Sequence, residues 1–384
     1  MDCYTDATYS DVIEYISVLT DKGYTKSELS EPNGNIFATL LDEKSKGLIH
    51  ISYLKHDKSL KIITDPLIES IYKTAEPSYT KITDTSFAVI SLDYTHRELT
   101  DGHGMCYIIT LEDGRFIIID GGYGDYLAGE IKKEPRDSEI IYNYLKSNNK
   151  RDGGIAVAAW IFTHPHADHY SAFIKFNELY RDIKIEYFIY NNGDPSAYSS
   201  VYPSDDFLRL TLPSIITRDY PTSKIIKPHA GQKIHFCNLT LNVIYTQELC
   251  IPYFEPATND ASTVFRIMVN GSSVLIMADC DCGASDLITD IYQSTLKSDF
   301  MQVNHHGYSG ATVKLYDCVS PSYTLWTTSN AAFALRTTGK KYQFIGNAVE
   351  SNKYIFDKLG HEHCIVADGD VKHIIFNQNG YTVK

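Results

Sequence analysis

The run Ile155-Ala-Val-Ala-Ala-Trp-Ile-Phe162 is apolar throughout. A strand that faces water on one side alternates apolar with polar residues. An unbroken apolar run of this length is therefore a strand covered on both faces, and sheets sandwiched by helices provide that cover. The surrounding sequence agrees. Helical segments are predicted over 138–146, 172–180, 285–295 and 352–359. Asp113-Gly114, Asn270-Gly271 and Asp368-Gly369 each lie between short apolar runs, as hairpin turns do. The expected class is α/β.

Residues 1–85 have a different texture. Ser10 is placed to cap a helix with Val12, Ile16 and Leu19 at helical spacing, ended by Gly23. Strands are predicted over 36–41, 48–54 and 60–63, and a second helix from Pro66 to Lys73. No cluster of metal ligands and no nucleophile with a base falls in this stretch. It reads as a small α/β domain of unassigned role, suited to packing or homo-oligomerisation and dispensable for chemistry. A larger domain follows over 86–384. Within it, residues 191–223, rich in Asn, Ser, Pro and Tyr, read as a long loop of the kind that borders active sites.

Composition narrows the partners. The formal net charge of −13 repels phosphate backbones and acidic membranes, and no Lys/Arg-rich run offsets it. Nucleic acid is disfavoured and a small-molecule substrate expected. No apolar stretch approaches the ~20 residues that span a bilayer, and Met1 to Thr20 lacks a basic start followed by an apolar run. The eight cysteines are scattered without a C-x-x-C pair, which fits reduced thiols and a cytoplasmic location.

The buried run ends in Thr163-His164-Pro165-His166-Ala167-Asp168-His169. Strand ends opening onto loops are where α/β proteins place ligands. Three imidazoles and a carboxylate in six residues exceed any structural need, and the mix suits zinc, manganese or iron. His164 and His166 can reach one metal while Asp168 and His169 turn to another. Other histidines carry less. His229 and His235 flank a glycine turn and read as structural, His361 and His363 as surface residues, and Cys280 and Cys282 as packing.

H-x-H-x-D-H resembles the signature of the metallo-β-lactamase superfamily, and further pieces follow in that family's order. Phe116-Ile-Ile-Ile-Asp120-Gly121-Gly122 resembles its strand-then-Asp-Gly element. Leu275-Ile-Met-Ala-Asp279 resembles the strand ending in the Asp that bridges both metals. Phe300-Met-Gln-Val-Asn304-His305-His306-Gly307 resembles the strand carrying the last His ligand. The resemblance covers roughly residues 86–384. It implies a four-layer αββα sandwich, two divalent metal ions with zinc foremost, and metal ligands His164, His166, Asp168, His169, Asp279 and His305, with the choice between His305 and its neighbour His306 left open. Asp120 would lie behind the ligands, accepting the N–H of a ligating His.

Asn259-Asp260-Ala261-Ser262 and His305-His306-Gly307 are similar to the hydrolase-like domain of the bacterial DNA-uptake competence proteins and to the phosphorylcholine esterases. That implies a phosphodiester or phosphomonoester substrate, with Asn259 and Asp260 supporting the site. One departure stands out: the loop from Thr246 to Asn259 lacks the further His that many members carry. Asp260, Glu255 or water is left to fill the gap. A di-iron redox branch has Glu in place of the second His, so His166 argues against electron transfer. The expected activity is hydrolysis by a metal-bridging hydroxide, with Asp168 in the catalytic set and His306 or Tyr308 as further proton sources. Hydrolysis of a carboxyl ester, thioester, lactone or lactam, nuclease action and non-catalytic metal sensing are the alternatives.

Overall fold

The computed structural model describes residues 1–42, 44, 46–66, 79–90, 92, 104–123, 137–192, 203–251, 258–339 and 348–384, with backbone alone at 203–206. The apolar run forms β9 (Ala156–Phe162), buried from its second residue onward. It lies between β8 (Phe116–Ile119) and β10 (Lys184–Tyr190), parallel to both. The sheet order is β11 (Lys224–Ile226), β10, β9, β8, β7 (Tyr107–Thr110), β6 (Thr85–Val89), β19 (Lys372–Asn377) and β20 (Gly380–Val383). A second sheet runs β12 (Lys233–Phe236), β13 (Leu239–Tyr245), β14 (Val264–Val269), β15 (Ser272–Ile276), β16 (Phe300–Gln302), β17 (Tyr323–Trp326) and β18 (Cys364–Val366).

Alternation along the strands sorts side chains into layers. Ile117, Ile119 and Ile161 meet Ile267, Val274, Ile276 and Phe300 between the sheets. On the outer face of the first sheet, Trp160 and Phe162 pack with α2 (Asp137–Asn148), α3 (Ala167–Leu179) and α4 (Pro203–Asp219). On the outer face of the second, Leu275 and Met301 pack against Ile288 of α5 (Cys282–Tyr292) and Leu315 of α6 (Val313–Val319). A short helix, α7 (Asn330–Arg336), precedes α8 (Val349–Leu359), whose Ile355 joins that core. The result is the expected αββα sandwich. No helix among the described residues is long and apolar enough to cross a membrane, and no disulfide forms among the eight cysteines.

Two local expectations are corrected. Asp368-Gly369 does not close a hairpin. β18 pairs with β17 in the second sheet and β19 with β6 in the first, so the turn carries the chain between sheets. The terminal hairpin closes at Gly380, where Asn377 pairs with Gly380 across β19 and β20. The stretch read as a loop over 191–223 contains α4. Its Leu208, Leu212, Ile215 and Ile216 recur at helical spacing and are buried, a pattern masked in sequence by Pro213 inside the helix.

The N-terminal chain forms an antiparallel sheet, β1 (Asp2–Tyr4), β5 (Ser59–Pro66), β4 (Gly47–Leu54), β3 (Ile36–Asp42) and β2 (Thr25–Ser30). β1 and β2 escaped the sequence reading because they are edge strands with little buried. Helix α1 (Tyr9–Asp21) buries Val12, Ile16 and Leu19 against Ile36, Ala38 and Ile51. Its cap is Thr8 rather than Ser10. The Thr8 side chain accepts from Asp11 N while the Asp11 carboxylate accepts from Thr8 N, satisfying two helix-end donors at once. The helix expected from Pro66 to Lys73 lies outside the described residues beyond Pro66, which ends β5.

The other face of this sheet is seated on the main sandwich. Phe37 and Leu54 join the core around α5, and Leu41 and Leu48 join the inter-sheet core. Polar groups line the seam. Gln232 Nε2 donates to His50 Nε2 at 2.7 Å, and His229 bonds Asp65 and faces Glu248 Oε1 at 3.2 Å. Burial and the neighbouring His229 press the His50 pKa well down. Burial also works against charge on His229, but its bonds to Asp65 and Glu248 outweigh it and raise its pKa. Gly231 makes the close approach possible: its φ is +89° and a Cβ there would stand 2.3 Å from Phe37 Cβ.

Gly231→Ala is expected to destabilise the fold by about 3 kcal/mol, combining a left-handed backbone penalty with overpacking, read from urea unfolding. The His229 ion pairs set a pH window. Because the folded pKa is raised, their stabilisation is full below the unfolded value of about 6.5 and is lost as pH rises through the folded value. The stability advantage of wild type over His229→Gln should therefore shrink between neutral and alkaline pH in the same assay. An advantage that grows with pH would contradict the assignment.

Candidate metal centre

Four strand ends converge at one edge of the sandwich. β9 ends at Phe162, and the next residues turn into α3, with His166 at its N-cap. β8 ends at Ile119, and Asp120 follows with a left-handed φ of 56°. β15 ends at Ile276. Ala278, with φ 51°, then turns the chain so that Asp279 points back into the cleft. β16 leads into Asn304–Gly307, where His305 and His306 both adopt left-handed backbone, with φ 46° and 53°. Consecutive left-handed residues are costly for L side chains. Here they present two adjacent imidazoles toward one carboxylate.

That carboxylate is Asp279, with no exposure. Its Oδ2 lies 3.2 Å from His169 Nε2, 3.5 Å from His306 Nε2, 3.5 Å from His305 Nε2 and 3.9 Å from His164 Nε2. Asp168 Oδ2 stands 3.3 Å from His306 Nε2 and 3.8 Å from His169 Nε2. Among the described residues two groups close tightly enough to hold an ion: Asp168, His169, Asp279 and His306, and His164, His166 and Asp279. Of the two adjacent histidines between which the sequence left the last ligand open, the fold brings His306 into the group and leaves His305 beside it.

A test of fit lies in the buried polar atoms. His164 Nε2, His169 Nε2 and both Asp279 oxygens are buried and make no hydrogen bond within the protein. Such atoms cost free energy unless something satisfies them. Zinc bonds of 2.0–2.1 Å place tetrahedral ligand atoms about 3.3 Å apart, close to the spacings around Asp279. The electrostatics agree. Burial opposes the Asp279 charge, but His169, His306 and His305 outweigh it and hold its pKa well below the carboxylate range. Against burial, Asp279 and Asp168 push His306 up to about 9. His169 is raised by Asp279, Asp120 and Asp168, whereas burial and the neighbouring His169 and His166 lower His164.

Behind the ligands each imidazole is steered by its other nitrogen. Asp120 Oδ2 accepts from His169 Nδ1 at 2.7 Å, and the Asp120 oxygens accept from Thr163 N and Oγ1, each at 2.8 Å. Thr163 Oγ1 has given its one proton to Asp120, so at 3.1 Å it accepts from His164 Nδ1. This leaves the His164 Nε2 lone pair facing the cleft. His306 Nδ1 donates to Thr327 O at 3.1 Å, with Thr327 Oγ1 at 2.9 Å. Buried Arg336 donates from Nη1 to His306 O at 2.7 Å. His305 Nδ1 meets Ser309 Oγ at 2.8 Å, and Ser309 in turn donates to Asp281. The sequence reading missed Thr163, Thr327, Arg336 and Ser309 in these roles. Hydroxyls and a buried Arg dispersed over four elements form no local pattern.

Asn259 and Asp260 are placed as supports. Asn259 Nδ2 lies 3.4 Å from both Asp281 Oδ2 and His305 Nδ1. Asp260 Oδ1 accepts from Ala284 N at 3.2 Å, capping α5, and burial pushes its pKa up to about 6. Tyr308 meets the His305 ring edge-to-face, with centroids 5.3 Å apart. Glu255 lies outside the described residues. His229 stands in the N-terminal seam, away from this cluster, while His235 hydrogen-bonds Thr240 on the paired strand and His363 bonds Ser322 O.

Residues 99–187 match the family model of the Metallo-beta-lactamase superfamily, a stretch that holds Asp120 and the His164–His169 loop. The fold is the metallo-β-lactamase fold. No curated protein matches the chain. Among solved structures it is similar to the metallo-beta-lactamase fold protein YhfI from Bacillus subtilis, at 10% identity over 75% of this chain and 99% of that one, TM-score 0.42. It is also similar to Zn(2+)-bound PqqB from Methylobacterium extorquens, at 10% identity over 74% and 99%, TM-score 0.43. A third is CmlA, a diiron beta-hydroxylase from Streptomyces venezuelae, at 8% identity over 81% of this chain and 55% of that one, TM-score 0.44.

Asp120→Asn is the sharpest test of the steering layer. The amide would set an NH2 against Thr163 donors or against His169 Nδ1, so His169 loses its anchor. Metal affinity is expected to fall about 10–100-fold with circular dichroism unchanged, read by competition with a chromophoric chelator.

Proposed function

We propose that the chain is a metal-dependent hydrolase acting on a phosphodiester or phosphomonoester of a compact, soluble molecule. The observation that supports this most is the shared oxygen, Asp279 Oδ2, with four imidazole nitrogens within 3.9 Å. His164, His166 and Asp279 would hold one divalent cation, and Asp168, His169, Asp279 and His306 a second. Imidazole with carboxylate suits zinc foremost, and manganese or iron. Bound there, the cations would supply Lewis acidity toward two substrate oxygens and a water nucleophile active near neutral pH.

The remaining work falls to the chain itself. Asp120, Thr163 and Thr327 fix the tautomers of His169, His164 and His306. His305 is more open than the fully buried His164, His169 and His306, with 21% of its side chain exposed. With Nδ1 held by Ser309, it offers Nε2 to hold a proton for the departing oxygen, a role His305 takes over from His306. Tyr308 packs against that ring and limits its swing.

Two motifs support the phosphoester reading. Asn259-Asp260-Ala261-Ser262 and His305-His306-Gly307 are distant in sequence yet meet at Asp279: Ser262 Oγ accepts from Asp279 N at 3.3 Å, and Asn259 lies against His305. A phosphoryl group spreads charge over several oxygens and suits two adjacent cations, whereas a carbonyl needs one. The net charge of −13 favours a small substrate over a polyanion. On metal-loaded protein, turnover of bis(p-nitrophenyl) phosphate, p-nitrophenyl phosphate or p-nitrophenyl phosphorylcholine should exceed that of nitrocefin, lactones and thioesters. Carboxyl substrates turned over faster than every phosphoester would sink the substrate class and leave the metal centre standing.

A further inference from the structure

We infer that the two metal positions are unequal: the ion held by Asp168, His169, Asp279 and His306 binds first and more tightly than the ion held by His164, His166 and Asp279. The inference rests on the metal-centre reading above and is independent of substrate class.

Three observations carry it. The first is ligand number. Among the described residues one group brings together four ligand atoms and the other three, with Asp279 common to both. A tetrahedral site closed by four protein ligands has the form of a tight structural site, whereas three leave a coordination position to solvent or substrate.

The second is charge. The four-atom group carries two carboxylates, Asp168 and Asp279. The three-atom group has only the shared one. A divalent cation in a buried, low-dielectric site feels that extra negative charge strongly. Once the first ion has bound, it offsets part of the Asp279 charge that the second ion needs.

The third is preorganisation. In the four-atom group, His169 Nδ1 is anchored on the Asp120 carboxylate at 2.7 Å, and His306 Nδ1 on Thr327 O at 3.1 Å. A carboxylate partner raises imidazole basicity and fixes the ring. In the three-atom group, His164 Nδ1 meets only a neutral hydroxyl oxygen, Thr163 Oγ1, whose proton is already given to Asp120.

The experiment is titration of chelator-stripped full-length protein with cobalt(II), followed by calorimetry and by visible absorption, on wild type, His166→Ala, His306→Ala and His305→Gln. Wild type should take up two equivalents in sequence, the first at least about 10-fold tighter. His166→Ala should keep the tight equivalent and lose the weaker one. His306→Ala should lose the tight one. His305→Gln should still take up two equivalents in the same order, because that imidazole lies outside both groups. Melting curves identify any variant that fails to fold, and the wild-type and His166→Ala titrations decide the matter without the buried His306 variant. Two equivalents of indistinguishable affinity, or loss of the tight equivalent in His166→Ala, would overturn the order. Loss of an equivalent in His305→Gln would also overturn it, by showing a further ligand that evens the two positions. Folded wild type that takes up no metal would overturn the metal reading and the inference together, whatever the phosphoester panel gives.

Discussion

A fully buried carboxylate is the constraint around which this centre is arranged. Asp279 has no exposure and no hydrogen bond to either side-chain oxygen within the protein, a placement that costs several kcal/mol unless countercharge surrounds it. The fold supplies that countercharge from two other chain segments, His169 from the loop after β9 and His305 and His306 from the turn after β16, while Asp120, after β8, steers His169 from behind. The left-handed backbones at Asp120, Ala278, His305 and His306 belong to the same requirement. Each sits within four residues of a strand end, where the chain must turn sharply to aim a side chain along the sheet edge. Strain of this kind persists only where the surroundings over-determine it.

The surroundings do so through backbone as well as side-chain bonds. Gln302, fully buried, accepts from Met277 N and donates to Ala278 O, locking the end of β15 to β16. His305 N donates to Ala278 O at 2.9 Å, so the two strained turns hold each other. The Asn259–Ser262 segment acts as a clasp between sheets. Ser262 Oγ accepts from Asp279 N, Asp260 caps α5, and Thr263 N donates to Thr163 O at 2.9 Å. A motif that in sequence suggests only a substrate preference thus has a mechanical reason for its residue types: a short acceptor at 262, a carboxylate at a helix start and an amide between two chain turns.

Much of the layered fold was legible because burial leaves a periodic trace. The apolar run at 155–162 required cover on both faces, and β9 has it. The helices α2, α3, α5 and α8 follow from apolar spacing to within several residues at their ends. The ligand-bearing loop was legible because His, Asp and His crowd into six residues. What escaped had no local signature. The polar edge strands β1 and β2 bury little, and α4 was disguised by Pro213. Asp368-Gly369 looked like any hairpin turn, since nothing near it says that the flanking strands belong to different sheets. The choice between His305 and His306 was equally invisible. Two adjacent identical residues differ only in where a left-handed backbone points them.

The seam with the N-terminal sheet connects to the same edge of the molecule. Asn191 immediately follows β10, one strand over from the His164 loop, and its Nδ2 donates to Glu248 Oε1 at 2.9 Å and to Pro228 O at 2.8 Å. Gln247 Nε2 returns a bond to Asn191 O at 3.1 Å. Glu248 faces His229, which bonds Asp65 of β5. A chain of buried polar contacts therefore runs from the N-terminal sheet to the base of the loops that follow β10 and β13. A merely appended domain would need a polar surface against water and nothing more. This one contributes Phe37 and Leu54 to the core beneath α5, and an aspartate to a buried ion-pair network, where removing one partner leaves a charge uncompensated. The N-terminal sheet carries no ligand of the metal centre. Its physical part is to bury apolar surface beneath α5 and to supply Asp65 to the His229 network.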